Sequence, residues 1–354
     1  MKLDTKFSTI YISSEIQKIL TEILQNFKNR KIFVIVDENT KTNCLPVIKN
    51  IEGIKNSKII ELESGESNKG IKSLEKVWSS LTENGADRSS MLINLGGGII
   101  GDLGGFAAST FKRGIDFINI PTTLLSQVDA SIGGKTGVNF LGLKNELGVF
   151  NHPKYVIIDS SFNRTLKKEH ISSGWAEMLK HALIFNEKDW DNLISNNIKQ
   201  IGFKELNLLI ARSVSIKNHF VEKDPFEKDI RKALNFGHTF GHAFESLFMN
   251  TTNEISHGEA VAHGMICELY LSGSFCDFST NKIDTMVSYL LKTYNKLKLN
   301  DADFEKIIDL IGHDKKNEGL NINFTLLEDF GKIKINQNCK RELLIETLNW
   351  YKNL

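Results

Sequence analysis

Proline is scarce in this sequence, with four in 354 residues, so helices and strands can run with few forced interruptions. Cysteine is as rare. Cys44, Cys267, Cys276 and Cys339 stand far apart, with no C-x-x-C pair. That pattern argues against a disulfide framework and fits a reducing cytoplasm. No run approaches the roughly 18 apolar residues of a transmembrane helix. The opening MKLDTKFSTIYISSEIQ has no apolar core of the kind a signal peptide needs. An excess of charge of either sign is also missing: 44 Lys+Arg against 43 Asp+Glu leaves +1. Neither nucleic acid nor an anionic membrane is expected as a partner, and any cationic site must be local. Repeats and low-complexity tracts are absent.

What is present suits a soluble enzyme. Apolar residues make up 41% and charged residues 25%, a normal balance for a chain with a real core. The length suggests two domains at roughly 150 residues each. In the first half, short β-type runs alternate with helical spacing. Lys31–Val36, Ser57–Leu62, Met91–Leu95, Asp116–Ile120 and Tyr155–Asp159 read as strands, and Ile71–Leu81 reads as a helix. Such alternation predicts an α/β domain with a mostly parallel sheet. From about Glu169 the pattern becomes helical, over Ile171–Ile184, Glu205–Val221, Ile230–Phe248, His257–Phe275 and Ile283–Tyr294, with a short strand at Lys334–Ile335. The change of period divides the chain into residues 1–165, an α/β nucleotide-binding domain, and 166–354, an α-helical domain.

Three constellations carry chemistry. Gly96-Gly97-Gly98-Ile99-Ile100-Gly101 fits G-x-G-x-x-G directly after the strand ending at Leu95. Such a loop lets backbone N–H groups approach a pyrophosphate, although it also serves as a plain strand-to-helix turn. The usual dinucleotide fingerprint wants an acid ending the next strand. Asp116 opens its strand, so Asp37, which ends the first strand, is the better acid and the site is non-standard. Second, His238 and His242 lie four apart in NFGHTFGHAFE, His257 follows in SHGEA, and Glu177 lies in GWAEMLKHALI. Residues four apart share a helix face, and histidine with carboxylate suits a catalytic metal such as Zn²⁺. Spacing nominates both His238 and His242 and does not choose between them. His170 and His263 read as exposed or structural. Third, Lys135 and Lys144 lie in a glycine-rich loop, and Arg113, Lys180, Lys217 and Arg231 lie near the other motifs. In a neutral chain, cations grouped beside such motifs point to an anionic substrate.

At these residues the sequence resembles the 3-dehydroquinate synthase family. The matching segments are GGGIIGDLGGFAAST-FKRG, IPTTLLSQVDASIGGKTGVN, LGLKNELGVF, GWAEMLKHALI, DIRKALNFGHTFGHAFE, SHGEAVAHGM and DKKNEG, in order from about Asp37 to Gly319. The resemblance implies an α/β NAD-binding domain followed by an all-α metal-binding domain. It implies metal ligation, by Zn²⁺ or Co²⁺, at Glu177, His238 and His257, with His242 on the substrate side. NAD contacts are implied at Asp37, Asn39, Glu66, Lys69, Gly97, Gly98, Asp102, Thr122, Thr123, Leu125, Lys144, Phe162 and Thr165. Substrate contacts are implied at Asp129, Lys135, Asn145, Lys180, Lys217, Arg231, Asn235, His242 and one lysine of the Lys315-Lys316 pair, with Lys316 taken as the candidate. Arg113 matches an arginine that reaches the partner's site in a homodimer.

The sequence departs from the family pattern at Lys167, where proline is usual, at His170, where glutamate is often found, and at Asp229, where glycine is usual. The implied reaction converts 3-deoxy-D-arabino-heptulosonate 7-phosphate to 3-dehydroquinate and phosphate. Its steps are oxidation at C5, phosphate elimination, reduction, ring opening and aldol closure. Asn235 and His242 follow the dehydroquinate synthase pattern and disfavour a related inosose or valiolone synthase. A polyol dehydrogenase would show net NAD reduction, and a binding protein with a structural metal would not need the cationic cluster.

Overall fold

The computed structural model describes residues 1–198, 200–249, 251–312 and 322–354. Its strands are β1 (Lys2–Asp4), β2 (Thr9–Ile12), β3 (Ile32–Asp37), β4 (Lys58–Leu62), β5 (Met91–Gly96), β6 (Asp116–Pro121), β7 (Lys135–Phe140), β8 (Leu143–Phe150), β9 (Tyr155–Ile158), β10 (Asn323–Asp329) and β11 (Lys332–Asn338). The helices of the first part are α1 (Ile16–Gln25), α2 (Glu38–Asn43), α3 (Leu45–Ile48), α4 (Ile71–Glu83) and α5 (Gly98–Thr110). They are followed by α6 (Lys168–Leu183), α7 (Glu187–Ile194), α8 (Phe203–Lys223), α9 (His238–Phe248), α10 (His257–Cys276), α11 (Thr280–Thr293), α12 (Asp301–Gly312) and α13 (Arg341–Asn353). The chain forms two compact units, Met1–Gly174 with Ile201–Asn218, and Trp175–Gln200 with His219–Leu354. Of the three chain boundaries between them, one falls inside α6, one in the segment between α7 and α8, and one inside α8. Among the described residues, no helix is long and apolar enough to cross a membrane.

The first unit is built on a seven-stranded sheet in the order β1-β2-β9-β6-β5-β3-β4. Every pairing after β1–β2 is parallel. The central strands are apolar on both sides because both faces are covered, as parallel sheets require. Successive side chains sort to opposite faces with period two. Val34, Val36, Ile93, Leu95, Ile118 and Ile120 pack with Leu20 and Leu24 of α1. Phe33, Ile35, Leu92 and Phe117 pack with Leu74, Val77 and Leu81 of α4 and with Leu103 and Ala107 of α5. All five strands expected from sequence are present. The N-terminal pair β1–β2 was not anticipated, because three- and four-residue strands carry too little periodicity.

Residues 135–145, expected to be a glycine-rich loop, instead form most of an antiparallel hairpin of β7 and β8. The glycines serve the pairing. Gly137 and Gly148 sit opposite each other, and a Cβ on either would lie 2.7 or 2.5 Å from the other strand's backbone. What reads as loop composition is here a close approach of two strands.

The second unit is helical and also carries the antiparallel hairpin β10–β11, where only a short strand was expected. The expected continuous helix over Ile230–Phe248 is broken. A 3₁₀ turn spans Ile230–Asn235, Gly237 stands at φ 80° in the left-handed region, and α9 starts afresh at His238. Close packing accounts for the break: a Cβ on Gly264 of α10 would lie 1.9 Å from the Gly237 carbonyl oxygen. The two helices therefore cross at backbone contact, through two glycines.

Candidate functional site

In the first unit the candidate residues gather just beyond the carboxyl ends of parallel strands, where ligands bind in open α/β sheets. Asp37 ends β3, Glu66 follows β4, Gly97 follows β5, Thr122 and Thr123 follow β6, and Phe162 and Thr165 follow β9. The glycine loop passes from β5 into α5 with Gly97 as the only intervening residue. The first N–H groups of α5 carry the positive end of a 13-residue helix, a suitable place for phosphate. Asp37 also caps α2, accepting from the Thr40 amide at 2.7 Å. Asn39 is exposed, Leu125 half-buried, and Phe162 sits in the core beneath the sheet.

A polar network organises this end of the unit. Lys69 is buried and donates to Asp102 Oδ2 at 2.7 Å and to Asn145 Oδ1 at 2.5 Å. Burial raises the Asp102 pKa, opposed by the charge and hydrogen bond of Lys69. Asn145 stands at φ 52°, and its amide donates to Asn139 Oδ1 at 2.9 Å. The Asn139 side-chain amide donates in turn to Glu66 Oε1 at 2.9 Å. Asn139 was not singled out from sequence, although its place in TGVN beside Lys135 offered the signal. Nearby, Lys217 of α8 donates to Asp129 Oδ1 at 2.5 Å and to the Asp129 carbonyl at 2.8 Å. Lys135 and Lys144 are exposed on the β7–β8 hairpin. Arg113 is exposed at φ 71° in the turn that follows α5.

In the second unit Glu177 of α6 is fully buried, and His238 and His257 are the first residues of α9 and α10. Glu177 Oε1 lies 3.5 Å from His238 Nε2 and 3.7 Å from His257 Nε2. One ligand atom from each of the three lies within 4.8 Å of the others. A carboxylate oxygen with two imidazole nitrogens is the donor set of an open Zn²⁺-type site. The His242 ring is 5.4 Å from that of His238 and 6.0 Å from that of His257. Lys180, buried one turn along α6, pairs with Glu177 Oε2. Burial lowers the His257 pKa, but contacts with Glu177 and Glu245 outweigh it and raise the pKa to about 9.

Arg231 is buried and donates from Nη1 to the Pro225 carbonyl at 2.6 Å. Its own amide donates to Asp224 Oδ2 at 3.2 Å. Burial would raise the Asp224 pKa, but the amides of Asp229, Lys228 and Arg231 lower it. Asp229 stands at φ −139°, outside the left-handed region that favours glycine. Asn235 donates to Glu227 Oε1 at 2.9 Å. Glu227 is another residue that sequence reasoning passed over, although it stands in the acidic stretch before Arg231. His263 is buried with Nδ1 2.9 Å from the Tyr351 hydroxyl, and burial lowers its pKa to about 4. That is a structural role, whereas His170 is exposed. Lys315 and Lys316 lie outside the described residues.

A further buried acid supports this cluster. Glu268 of α10 is fully buried and accepts from the amides of Gly237 at 2.6 Å, Thr239 at 3.0 Å and Phe240 at 3.4 Å. It therefore closes the N-terminus of α9 at the residues flanking His238, where helix amides lack intrahelical partners.

The fold is shared with solved synthases that carry NAD⁺ and a divalent metal. A solved structure of 2-deoxy-scyllo-inosose synthase with carbaglucose-6-phosphate, NAD⁺ and Co²⁺ superposes with a TM-score of 0.88 at 22% identity, covering 100% of this chain and 99% of that one. A 2-epi-5-epi-valiolone synthase from Streptomyces hygroscopicus, with NAD⁺ and Zn²⁺ bound, gives 0.86 at 22% identity, covering 99% and 98%. These likenesses define the fold. Sequence defines the family: residues 59–173 match the 3-dehydroquinate synthase N-terminal region, and residues 174–317 match its C-terminal region. The 3-dehydroquinate synthase of Parabacteroides distasonis is 46% identical over 343 residues, covering 97% of both chains. The chain belongs to the 3-dehydroquinate synthase family.

Replacing Glu268 with glutamine leaves a buried NH₂ donor facing backbone amide donors. Glu268→Gln is expected to lower unfolding free energy by about 1–3 kcal/mol, the usual cost of an unsatisfied buried polar group. Urea denaturation of the metal-free protein measures it.

Proposed function

We propose that this chain converts 3-deoxy-D-arabino-heptulosonate 7-phosphate to 3-dehydroquinate and inorganic phosphate, with NAD and a divalent metal, Zn²⁺ or Co²⁺, as cofactors. The observation that carries the reading is the buried Glu177 carboxylate facing His238 and His257, with ligand atoms within 4.8 Å, in a chain of this family. Glu177, His238 and His257 would hold the metal, which would supply a Lewis acid to stabilise negative charge on substrate hydroxyl oxygens. NAD would be held beyond the strand ends by Asp37, Asn39, Glu66, Lys69, Gly97, Gly98, Asp102, Thr122, Thr123, Leu125, Lys144, Phe162 and Thr165, and would supply reversible hydride chemistry with no net redox change over a turnover.

The remaining candidates bind the substrate and handle protons. Arg231 and Lys217 fit the carboxylate of the substrate, the planar guanidinium giving a bidentate fork. Lys135, Asn145, Asn235, His242 and Arg113 fit the phosphate, which leaves most readily when its charge is held. As C6 loses its proton the C7–O bond to phosphate breaks, and an oxygen of the departing phosphate can take that proton. Asp129 and Lys180 would hold and move protons at substrate oxygens; each is paired with an opposite charge. The cysteine pattern supports a cytoplasmic setting, and the neutral net charge supports a small-molecule partner. We further propose a homodimer in which Arg113 serves the partner's site; its exposure at a turn is compatible with that role.

Given the heptulosonate phosphate and NAD, the metal-loaded protein is expected to release 3-dehydroquinate and equimolar phosphate without accumulating NADH. Product identification by NMR and a phosphate assay read this out. Stoichiometric NADH would instead indicate a polyol dehydrogenase, and a different carbocycle another cyclase.

The ligand assignment predicts that His257→Ala loses bound metal, whereas His242→Ala keeps metal and loses turnover. Metal analysis after gel filtration separates the two. Equal metal loss in both variants would overturn the assignment.

The shared-site proposal predicts complementation. Arg113→Ala and Lys217→Ala should each be nearly inactive alone. In a mixed dimer one site carries both defects and the other carries neither, so activity should return, up to one working site per heterodimer. Demonstrated subunit exchange with no recovery would exclude a partner role for Arg113.

A further inference from the structure

We infer that Glu245 is the positioning residue that presets the His257 ring, an inference resting on the metal reading of Glu177, His238 and His257. Helix positions seven apart return to nearly the same face. α9 therefore presents His238 at its first residue and Glu245 two turns later on one side. Glu245 Oε2 lies 3.1 Å from His257 Nδ1. The other ring nitrogen, Nε2, is turned toward Glu177 Oε1 at 3.7 Å.

His238 is held in the same sense by a different group. Its Nδ1 lies 3.2 Å from the Phe236 carbonyl oxygen, and its Nε2 lies 3.5 Å from Glu177 Oε1. In both rings an acceptor at Nδ1 fixes the N–H there and leaves the Nε2 lone pair for Glu177's side of the cluster. The two restraints differ in kind. Phe236 is backbone next to the turn that Glu268 anchors, so the His238 ring is set by its own chain. His257 depends on a side chain of another helix. Its ring is also the more exposed, 31% against 13% for His238, so packing restrains it less. A carboxylate at Nδ1 both orients the imidazole and makes Nε2 a stronger donor. The contact runs from α9 to α10, while Glu268 runs from α10 to α9, so each helix fixes the histidine that begins the other.

The test is a metal titration of the full-length protein, stripped of metal, with Co²⁺ and Zn²⁺ against a competing chelator and no substrate. Glu245→Ala should bind about 10- to 100-fold more weakly, the usual effect of losing such a partner, and its Co²⁺ absorption bands should shift. Glu245→Gln keeps an acceptor oxygen and should lose less. The metal-free unfolding midpoint of the glutamine variant should stay near that of the parent, which a merely structural role would not give. Parental Co²⁺ affinity and spectrum in Glu245→Ala would overturn the inference. If the alanine variant does not fold, Glu245→Leu, which retains volume but offers no acceptor, takes its place with the same two readings. His257→Ala is run alongside. Weak binding there with unchanged Glu245 variants defeats the positioning role alone, whereas parental binding in His257→Ala defeats the metal reading itself.

Discussion

The helical unit depends on one close crossing, that of α9 over α10. Gly264 and Gly237 allow backbone contact there, and Glu268 occupies the space beside them with its charge directed at three amides of the α9 N-terminus. Taking a carboxylate out of water costs several kcal/mol, and this arrangement offsets the cost with charge-assisted hydrogen bonds and the positive end of a helix. The functional consequence is positional. His238 and His257 each begin one of the crossing helices, so the crossing that brings the helices together also brings the two rings to 5.5 Å. Glu177 enters from α6 and completes the cluster with a side chain that has no exposure to solvent.

The sheet unit works by a different constraint. Parallel strands put all their carboxyl ends on one edge, and the connections leaving that edge are the segments free to vary in composition. Asp37, Glu66, Gly97 and Thr122 come from four separate stretches of sequence and lie on that edge because β3, β4, β5 and β6 are neighbours in the sheet. Lys69, Asp102, Asn139 and Asn145 then join these connections by hydrogen bonds. Asn145 is held at positive φ by this network, a conformation asparagine tolerates better than most residues.

Much of this was legible before the structure. Buried strands such as IFVIV and MLINL are continuous apolar runs, and α8 and α10 are long enough for their period to show. The hairpins were less legible. β8 is exposed along its whole length, so it has no buried face to impose alternation, and Gly137, Gly142 and Gly148 of the hairpin imitate a loop. The break before α9 was hidden because its cause, Gly264, lies 27 positions beyond Gly237. The candidate site shows the same division. Histidine spacing nominated His238, His242 and His257, and only the resemblance separated the ligand roles. Glu268 was invisible because it acts on backbone amides fixed only in three dimensions, and a lone acid in an apolar helix gives no pattern to read.

The treatment of buried lysines connects the neutral composition to the chemistry. Among the described residues, Lys69, Lys180 and Lys217 are the buried lysines, and all three were candidates from sequence. Each is matched with a carboxylate: Asp102, Glu177 and Asp129 respectively. Burial of any ammonium carries a desolvation cost, which an adjacent carboxylate offsets. At Glu177 the two carboxylate oxygens have different partners: Oε2 meets Lys180, while Oε1 faces the two histidines. The lysine thus fixes the carboxylate's rotation through one oxygen and leaves the other directed at the imidazoles.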